Sequence, residues 1–420
     1  MIQHRWPACI ARTSVLCLAL LCARVWAISI DNVAIVAPSN SSAVTQYSKL
    51  ELLVTLSGVS ATNNYCPEAT HGGVNLTASF TGPGPTVWPI NGYFDGSSWR
   101  IRFSPTVTGA WTFSVSVQDP GGSASFSGGS FTCVASNRHG FVQINGTKFN
   151  FSDGSVFFGV GHNNGWQYAG AGIEQPSLSA MAAQGENLLS FWLATPWAKP
   201  SYTSTDEPWW NYRSALENVE SGITNYHQPA CAYMDDVVAR AEAAGVYLLP
   251  TIWAHDQLCN DASGVPGQGT GPSGWPASWV NNAYQSVCDV KDFYQTTDGL
   301  GNDTNQWRIQ KYQYRYILAR WGYSPAIAGW VAVDEIDGTT GNAINPGNTN
   351  TWCAAMKTYF ASVDAYRTNG SGQYPLGVSK TIIDGIAKGQ SSNATFTWPM
   401  PFDGKASIAR IMYKVLWASS

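Results

Sequence analysis

Trp330-Val331-Ala332-Val333-Asp334-Glu335-Ile336-Asp337-Gly338 runs from an apolar strand straight into three acidic side chains. An apolar run of strand length, preceded by a helical pattern, predicts a parallel strand buried on both faces. In α/β folds the reactive groups collect where such strands end. Glu335 falls at that end. A carboxyl group among Trp, Val and Ile sits in surroundings that raise a pKa and let it deliver a proton near neutral pH, so Glu335 is the candidate acid. The plainer reading is that Asp334, Glu335 and Asp337 only open a loop, where acidic residues are common.

The segments around this stretch repeat its rhythm. Phe157 to Val160 is predicted as a first strand and Asn187 to Leu193 as a second. Met234, Val237, Val238 and Ala241 fall at helical spacing, Gly245 stops that helix, and Val246 to Trp253 forms the third strand. Tyr314, Ile317, Leu318 and Trp321 make another helix ended by Gly322, before Ile327 to Val333 as strand four. Trp352, Met356, Tyr359 and Val363 mark a further helix, and Leu376 to Ile382 a fifth strand. Repeated β-α units with right-handed crossovers imply a parallel sheet curling as a TIM-type barrel, with five of its eight strands legible. Two insertions, roughly Ala198 to Ala230 and Gln257 to Asn305, leave strand C-termini, so they are expected to wall the active face or to be ordinary surface loops.

Upstream the pattern is different. From about Ile28 to Ala135 short β-rich runs such as Leu50 to Leu56 and Trp111 to Val117 are broken by Gly, Pro, Ser and Asn. In Trp99-Arg100-Ile101-Arg102-Phe103 apolar and basic residues alternate strictly, which predicts one buried and one wet face. A β-sandwich of immunoglobulin type is the expected architecture. Asp119-Pro120-Gly121-Gly122 and Ser127-Gly128-Gly129 read as hairpin turns, and Phe141 to Phe151 as a hairpin after the domain boundary. The organisation expected is a signal peptide over 1–27, a sandwich over 28–136 and a partial barrel with an irregular tail over 137–420.

The basic start, the short apolar run Ser14 to Cys22 and the Val25-Trp26-Ala27 cleavage pattern predict a secretory signal, and no later segment reads as a membrane span. The six cysteines beyond it, Cys66, Cys133, Cys231, Cys259, Cys288 and Cys353, suit three disulfides in an exported chain. Cys66 with Cys133 is the first expected pair, then Cys259 with Cys288 and Cys231 with Cys353, other pairings of the last four being open. Glycosylation sequons at Asn40, Asn75, Asn145, Asn150, Asn302, Asn369 and Asn393 fit the same pathway. With 12% charged residues and a net charge of -4, nucleic acid is excluded as a partner, while 19 Trp and 19 Tyr favour stacking on sugar rings. A monomer is expected.

Each strand delivers polar or aromatic groups at its C-terminal end. Strand one gives His162, Asn163, Asn164 and Trp166, strand two Trp192 and Trp197, strand three Trp253, His255 and Asp256, strand four Asp334 and Glu335. One such end would suggest a structural residue. Four converging ends suggest a site.

Trp88 to Val115, with Gly92-Tyr93-Phe94-Asp95-Gly96 and Gly109-Ala110-Trp111-Thr112, resembles the small immunoglobulin-like domain of uncharacterised function that precedes glycoside hydrolase barrels. Phe158-Gly159-Val160-Gly161-His162-Asn163-Asn164-Gly165-Trp166, Ala319-Arg320-Trp321-Gly322-Tyr323-Ser324-Pro325 and Trp330 to Gly338 resemble the cellulase-like and mannanase-like, family-5-like barrels of the large retaining clan. The resemblance implies a secreted retaining glycoside hydrolase, acting without metal or organic cofactor on a β-linked polysaccharide such as glucan or mannan. It makes Glu335 the acid/base and puts Asp334 at the position that holds the sugar, while the converging strand ends make His162, Asn163, Trp166, Trp192, Trp253 and His255 the other expected substrate-binding residues.

Three departures stand against it. Asp334 occupies the place of the family's Asn before the acid/base, Ser190 that of a common strand-two Arg, and no Glu follows Glu335 to supply the nucleophile that ends strand seven. Retaining hydrolysis needs that second carboxylate at about 5 Å. Either the barrel is truncated or the chain is a carbohydrate-binding or structural wall relative that does not hydrolyse. Truncation is the expectation, because a parallel half-sheet leaves an open edge and apolar flanks.

Overall fold

The short β-rich runs of the front half become nine strands: β1 (Ser29–Ala37), β2 (Val44–Thr45), β3 (Leu50–Ser57), β4 (Asn75–Thr81), β5 (Val87–Asn91), β6 (Tyr93–Phe94), β7 (Trp99–Phe103), β8 (Gly109–Asp119) and β9 (Gly122–Val134). They form two sheets, ordered β1-β3-β7-β6 and β2-β9-β8-β4-β5. Period-2 alternation turns Leu52, Ile101, Phe80 and Phe113 inward, and Phe80 and Phe103 stack across the two sheets at 4.1 Å between ring centroids. Each such fully buried side chain contributes roughly 1.5–3 kcal/mol, which is what holds the two layers together. The computed structural model describes residues 27–146, 148–164, 178–193, 216–217, 221–260, 279, 282–367 and 376–377. The expected signal peptide, the tail beyond 377 and most of the first insertion lie outside them.

Two readings of this domain change. Ser127-Gly128-Gly129 is no turn but the bulge inside β9, where the register against β8 slips between Phe113 and Val115. A side chain at Gly129 would run into the Phe113 ring, so the ring lies over bare backbone. The face of β7 expected to be wet is also covered: Arg102 is only 7% exposed, because helices of the second half pack on it.

The second half opens with an antiparallel sheet of β10 (Val142–Asn145), β11 (Lys148–Phe151) and β12 (Val156–Phe157). Five parallel strands follow in chain order, β13 (Gly161–Asn164), β14 (Leu188–Trp192), β15 (Tyr247–Trp253), β16 (Trp330–Val333) and β17 (Leu376–Gly377), describing half a barrel. Between them run α1 (Leu178–Ala183), α2 (Gln228–Ala244), α3 (Asn305–Trp321), α4 (Thr340–Ile344) and α5 (Pro346–Val363). Gly245 ends α2 at φ +70°, a left-handed conformation glycine takes at no cost, and Thr304 caps α3 by accepting from the Trp307 amide.

One face of the parallel sheet, with Leu189, Leu248, Ile252 and Ala332, packs on Val238, Ile317 and Phe360 of the helices. The other, with Leu188, Leu249 and Val331, is closed at its base by Val142, Phe151 and Phe157 of the small sheet. That arrangement corrects the first strand. Val156–Phe157 belongs to the antiparallel sheet, and the parallel strand begins at Gly161, where any side chain would collide with the Leu188 carbonyl. Only glycine lets the two backbones approach that closely.

The second insertion also differs from a surface wall. Tyr284, Phe293 and Tyr294 are buried beneath β15 and against Trp352. Among the described residues Cys66, Cys133, Cys231 and Cys288 are free thiols, so the expected Cys66–Cys133 pair is not formed. Cys66 lies in the core of the helical layer and Cys133 in that of the sandwich, so the first expected pair is divided between two cores. The Cys259 thiol donates instead to the carbonyls of His255 and Gly338.

Candidate active site

Because β14, β15 and β16 are adjacent and parallel, their C-terminal ends meet. Trp192 closes β14, His255 follows β15, and Asp334 and Glu335 follow β16. The Asp334 amide donates to the Trp253 carbonyl at 3.0 Å, which ties the last turn of β16 to the end of β15. His255 is fully buried, stands edge-on to the Trp192 ring at 5.9 Å, and has its Nδ1 3.6 Å from Glu335 Oε2.

Glu335 is held in a left-handed conformation, φ +50° and ψ +49°, and is 7% exposed. Such a conformation costs a non-glycine residue on the order of 1 kcal/mol and persists where the surroundings over-determine it, as at active sites. Gly338 donates to the Glu335 carbonyl at 2.8 Å, closing a tight turn directly after β16.

Burial sets the protonation of this group. The carboxyl of Asp334, 4% exposed, is pushed up to about 7, first by loss of solvent and then by the neighbouring Glu335, against an opposing contact from Trp192. Burial pushes His255 down to about 4, so the imidazole is neutral over the working range and places no positive charge beside Glu335. Two acids, one neutral imidazole and an indole form a constellation able to hold and pass a proton. Among the described residues no three His, Cys, Asp or Glu side chains are grouped as metal ligands.

The other expected residues are distributed differently. His162 and Asn163 lie within β13, paired with Leu189 and Ser190, rather than beyond its end. Trp166 lies outside the described residues. Trp253 packs edge-on against Tyr284 and Phe293 and donates its indole N–H to Tyr314 at 3.2 Å, the setting of a core side chain rather than a sugar platform. Ser190 and Thr251, buried polar residues of β14 and β15, line the sheet below the site.

A buried acid that gave no sequence signal is Glu217. Enclosed near Tyr226 and Tyr284 and accepting from the Thr224 amide at 2.6 Å, it is pushed up to about 8 by burial. It sits in a Pro- and Trp-rich insertion that reads as surface, so pattern alone could not find it.

Residues 43–118 match a family profile described as a domain of unknown function, DUF5060, which falls within the sandwich. No curated protein matches the chain. Among solved structures, one from Bacteroides vulgatus assigned to the glycoside hydrolases aligns at 14% identity and a TM-score of 0.49, covering 81% of this chain and 56% of that one. The endo-1,4-beta-mannanase of Rhizomucor miehei aligns at 14% identity and a TM-score of 0.37, over 63% of this chain and 67% of that one. The beta-glucuronidase of Parabacteroides merdae aligns at 10% identity and a TM-score of 0.32, over 84% of this chain and 33% of that one. The chain therefore spans little more than half the length of the first of these structures.

Proposed function

We propose that the chain is a secreted, monomeric glycoside hydrolase of the retaining type, with an immunoglobulin-type sandwich ahead of its barrel, acting on a β-linked polysaccharide such as glucan or mannan. The observation that carries this reading is the meeting of Glu335, His255, Trp192 and Asp334 at the ends of three adjacent parallel strands. Given a second carboxylate to attack the anomeric carbon, Glu335 gives its proton to the leaving glycosidic oxygen as that bond breaks, and its carboxylate then takes a proton from the water that displaces the nucleophile from the sugar. Neutral His255 and Trp192 position the sugar, together with His162, Asn163 and Trp166 of the first strand and the segment after it. Protonated Asp334 presents an O–H and a carbonyl, the same donor and acceptor pair as the amide in whose place it stands.

A second reading is non-catalytic carbohydrate binding or a structural wall role, in which the aromatic and polar groups at the strand ends hold a sugar without cleaving it. Reducing-sugar release from glucans and mannans by residues 28–420, wild type against Glu335→Gln, separates the two when run beside affinity gel electrophoresis. Release is expected to be weak, to vanish in the variant, and to leave gel retardation by the polysaccharide unchanged. Equal release by both proteins overturns the assignment of Glu335. Retardation with no release by the wild type selects the binding reading, and neither selects the wall role.

A further inference from the structure

Arg102 belongs to the sandwich by sequence and to the half-barrel by contact. Its Nε donates to Glu51 Oε2 across the β3–β7 ladder at 2.6 Å. Its Nη1 reaches out of the domain to Asp235 Oδ1 on α2 at 2.6 Å and to the Arg320 carbonyl in the last turn of α3 at 2.9 Å. Asp235 also accepts from Arg320 Nη2 at 2.7 Å and from the Trp321 indole at 2.8 Å. Glu51 takes Arg100 on its other oxygen, and Arg100 pairs with Asp95. The network balances three guanidiniums against three carboxylates, and it balances only when both halves are present. Glu51, Arg102 and Arg320 are all buried, and a buried charge stripped of its partner is strongly destabilising.

The apolar cores cross the same boundary. Tyr93 of β6 is packed in the core of the helical layer, under the Arg102 and Arg320 guanidiniums. In return Tyr366, which follows α5, is packed in the sandwich core, stacked on Phe141 at 4.4 Å, its hydroxyl accepting from the Ser104 amide at 3.0 Å. Interfaces between independent domains are polar, and motion across them is the default. Here each half completes the interior of the other.

We propose that the sandwich is an integral wall of the half-barrel, covering the α2–α3 face, and that the two unfold as one cooperative unit rather than as joined modules. α2 leads into β15, which His255 follows, and α3 into β16, which Glu335 follows, so the wall bears on the spacing of both. Native-state hydrogen exchange of the full chain in rising urea tests this without a substitution. Amides of β3 and β7 should open with the same urea dependence as those of β15 and β16. Arg102→Met, which keeps the apolar stem, should lower the midpoint of a single thermal transition by about 5–10 °C and reduce protection in both halves together. Separate urea dependences in the wild type, two thermal transitions, or a loss of protection confined to β3 and β7 in the variant would each overturn the proposal. Should Arg102→Met not fold, the wild-type exchange pattern decides alone.

Discussion

Asp235 and Asp334 are the same side chain in two kinds of burial. At Asp235, under the sandwich, loss of solvent would raise the carboxyl's pKa, but the Arg102 and Arg320 guanidiniums overcome it and hold the group below its usual range. At Asp334, at the strand ends, loss of solvent is joined by the Glu335 carboxylate, and the pKa climbs to about 7. Burial alone therefore does not decide charge. The partner does. The interface fixes its charges permanently, as a structural joint needs, whereas the strand ends leave an acid free to gain and lose a proton near neutrality, as acid chemistry needs.

The largest expected break in this contrast is at the interface. Asp235→Leu leaves Arg102 and Arg320 without their shared carboxylate and should cost about 3–5 kcal/mol in urea unfolding. At the strand ends the corresponding change should barely touch stability. Glu335→Gln is expected to lower sugar release at least about 100-fold, the usual scale of a lost general acid, while the unfolding midpoint moves little.

The pH dependence sharpens the comparison. Asp334, raised in the folded state, contributes stability that is intact below about pH 4 and lost as pH rises through about 7. Glu217 acts in the same direction up to about pH 8. His255, depressed in the fold, loses its contribution as pH falls from its ordinary value of 6.5 towards 4, so it offsets Asp334 in that window. Since His255 offsets only one of the two acids, the thermal midpoint should fall from about pH 4.5 upward, most steeply between about 6.5 and 7, and level off above about 8, and Asp334→Asn should flatten the part of that fall below about pH 7. A fall of unchanged steepness in the variant would assign the alkaline loss elsewhere. The smallest effect is expected at Glu335→Gly, which relieves the positive φ and should leave stability level or raise it by up to about 1 kcal/mol, read by urea denaturation, although all acid function is gone.

Strand and helix periodicity made much of the architecture legible. The alternation of β7 announced a sandwich, and the spacing of Val237, Val238 and Ala241 before Gly245 announced α2. The first parallel strand was misplaced because Val156 to Val160 is apolar enough for either sheet, and only the need for a bare backbone at Gly161 against Leu188 separates them. Trp253 shows the same limit at the site. Its place in the sequence suits a sugar platform, yet the aromatic core beneath β15 claims it.

The sequence by itself determined which segments are strand or helix and that Glu335 ends a buried parallel strand, since both follow from local periodicity and from where the apolar run stops. Only the tertiary structure decided what each buried charge faces. It turned a seemingly wet Arg102 into the joint between two halves, separated cysteines that counting would pair, and set Asp334 beside Glu335 and near Trp192. The physical reason is that electrostatic and packing partners come from residues far apart in the chain, and their distances are fixed by the packing of sheets and helices rather than by any neighbour in sequence.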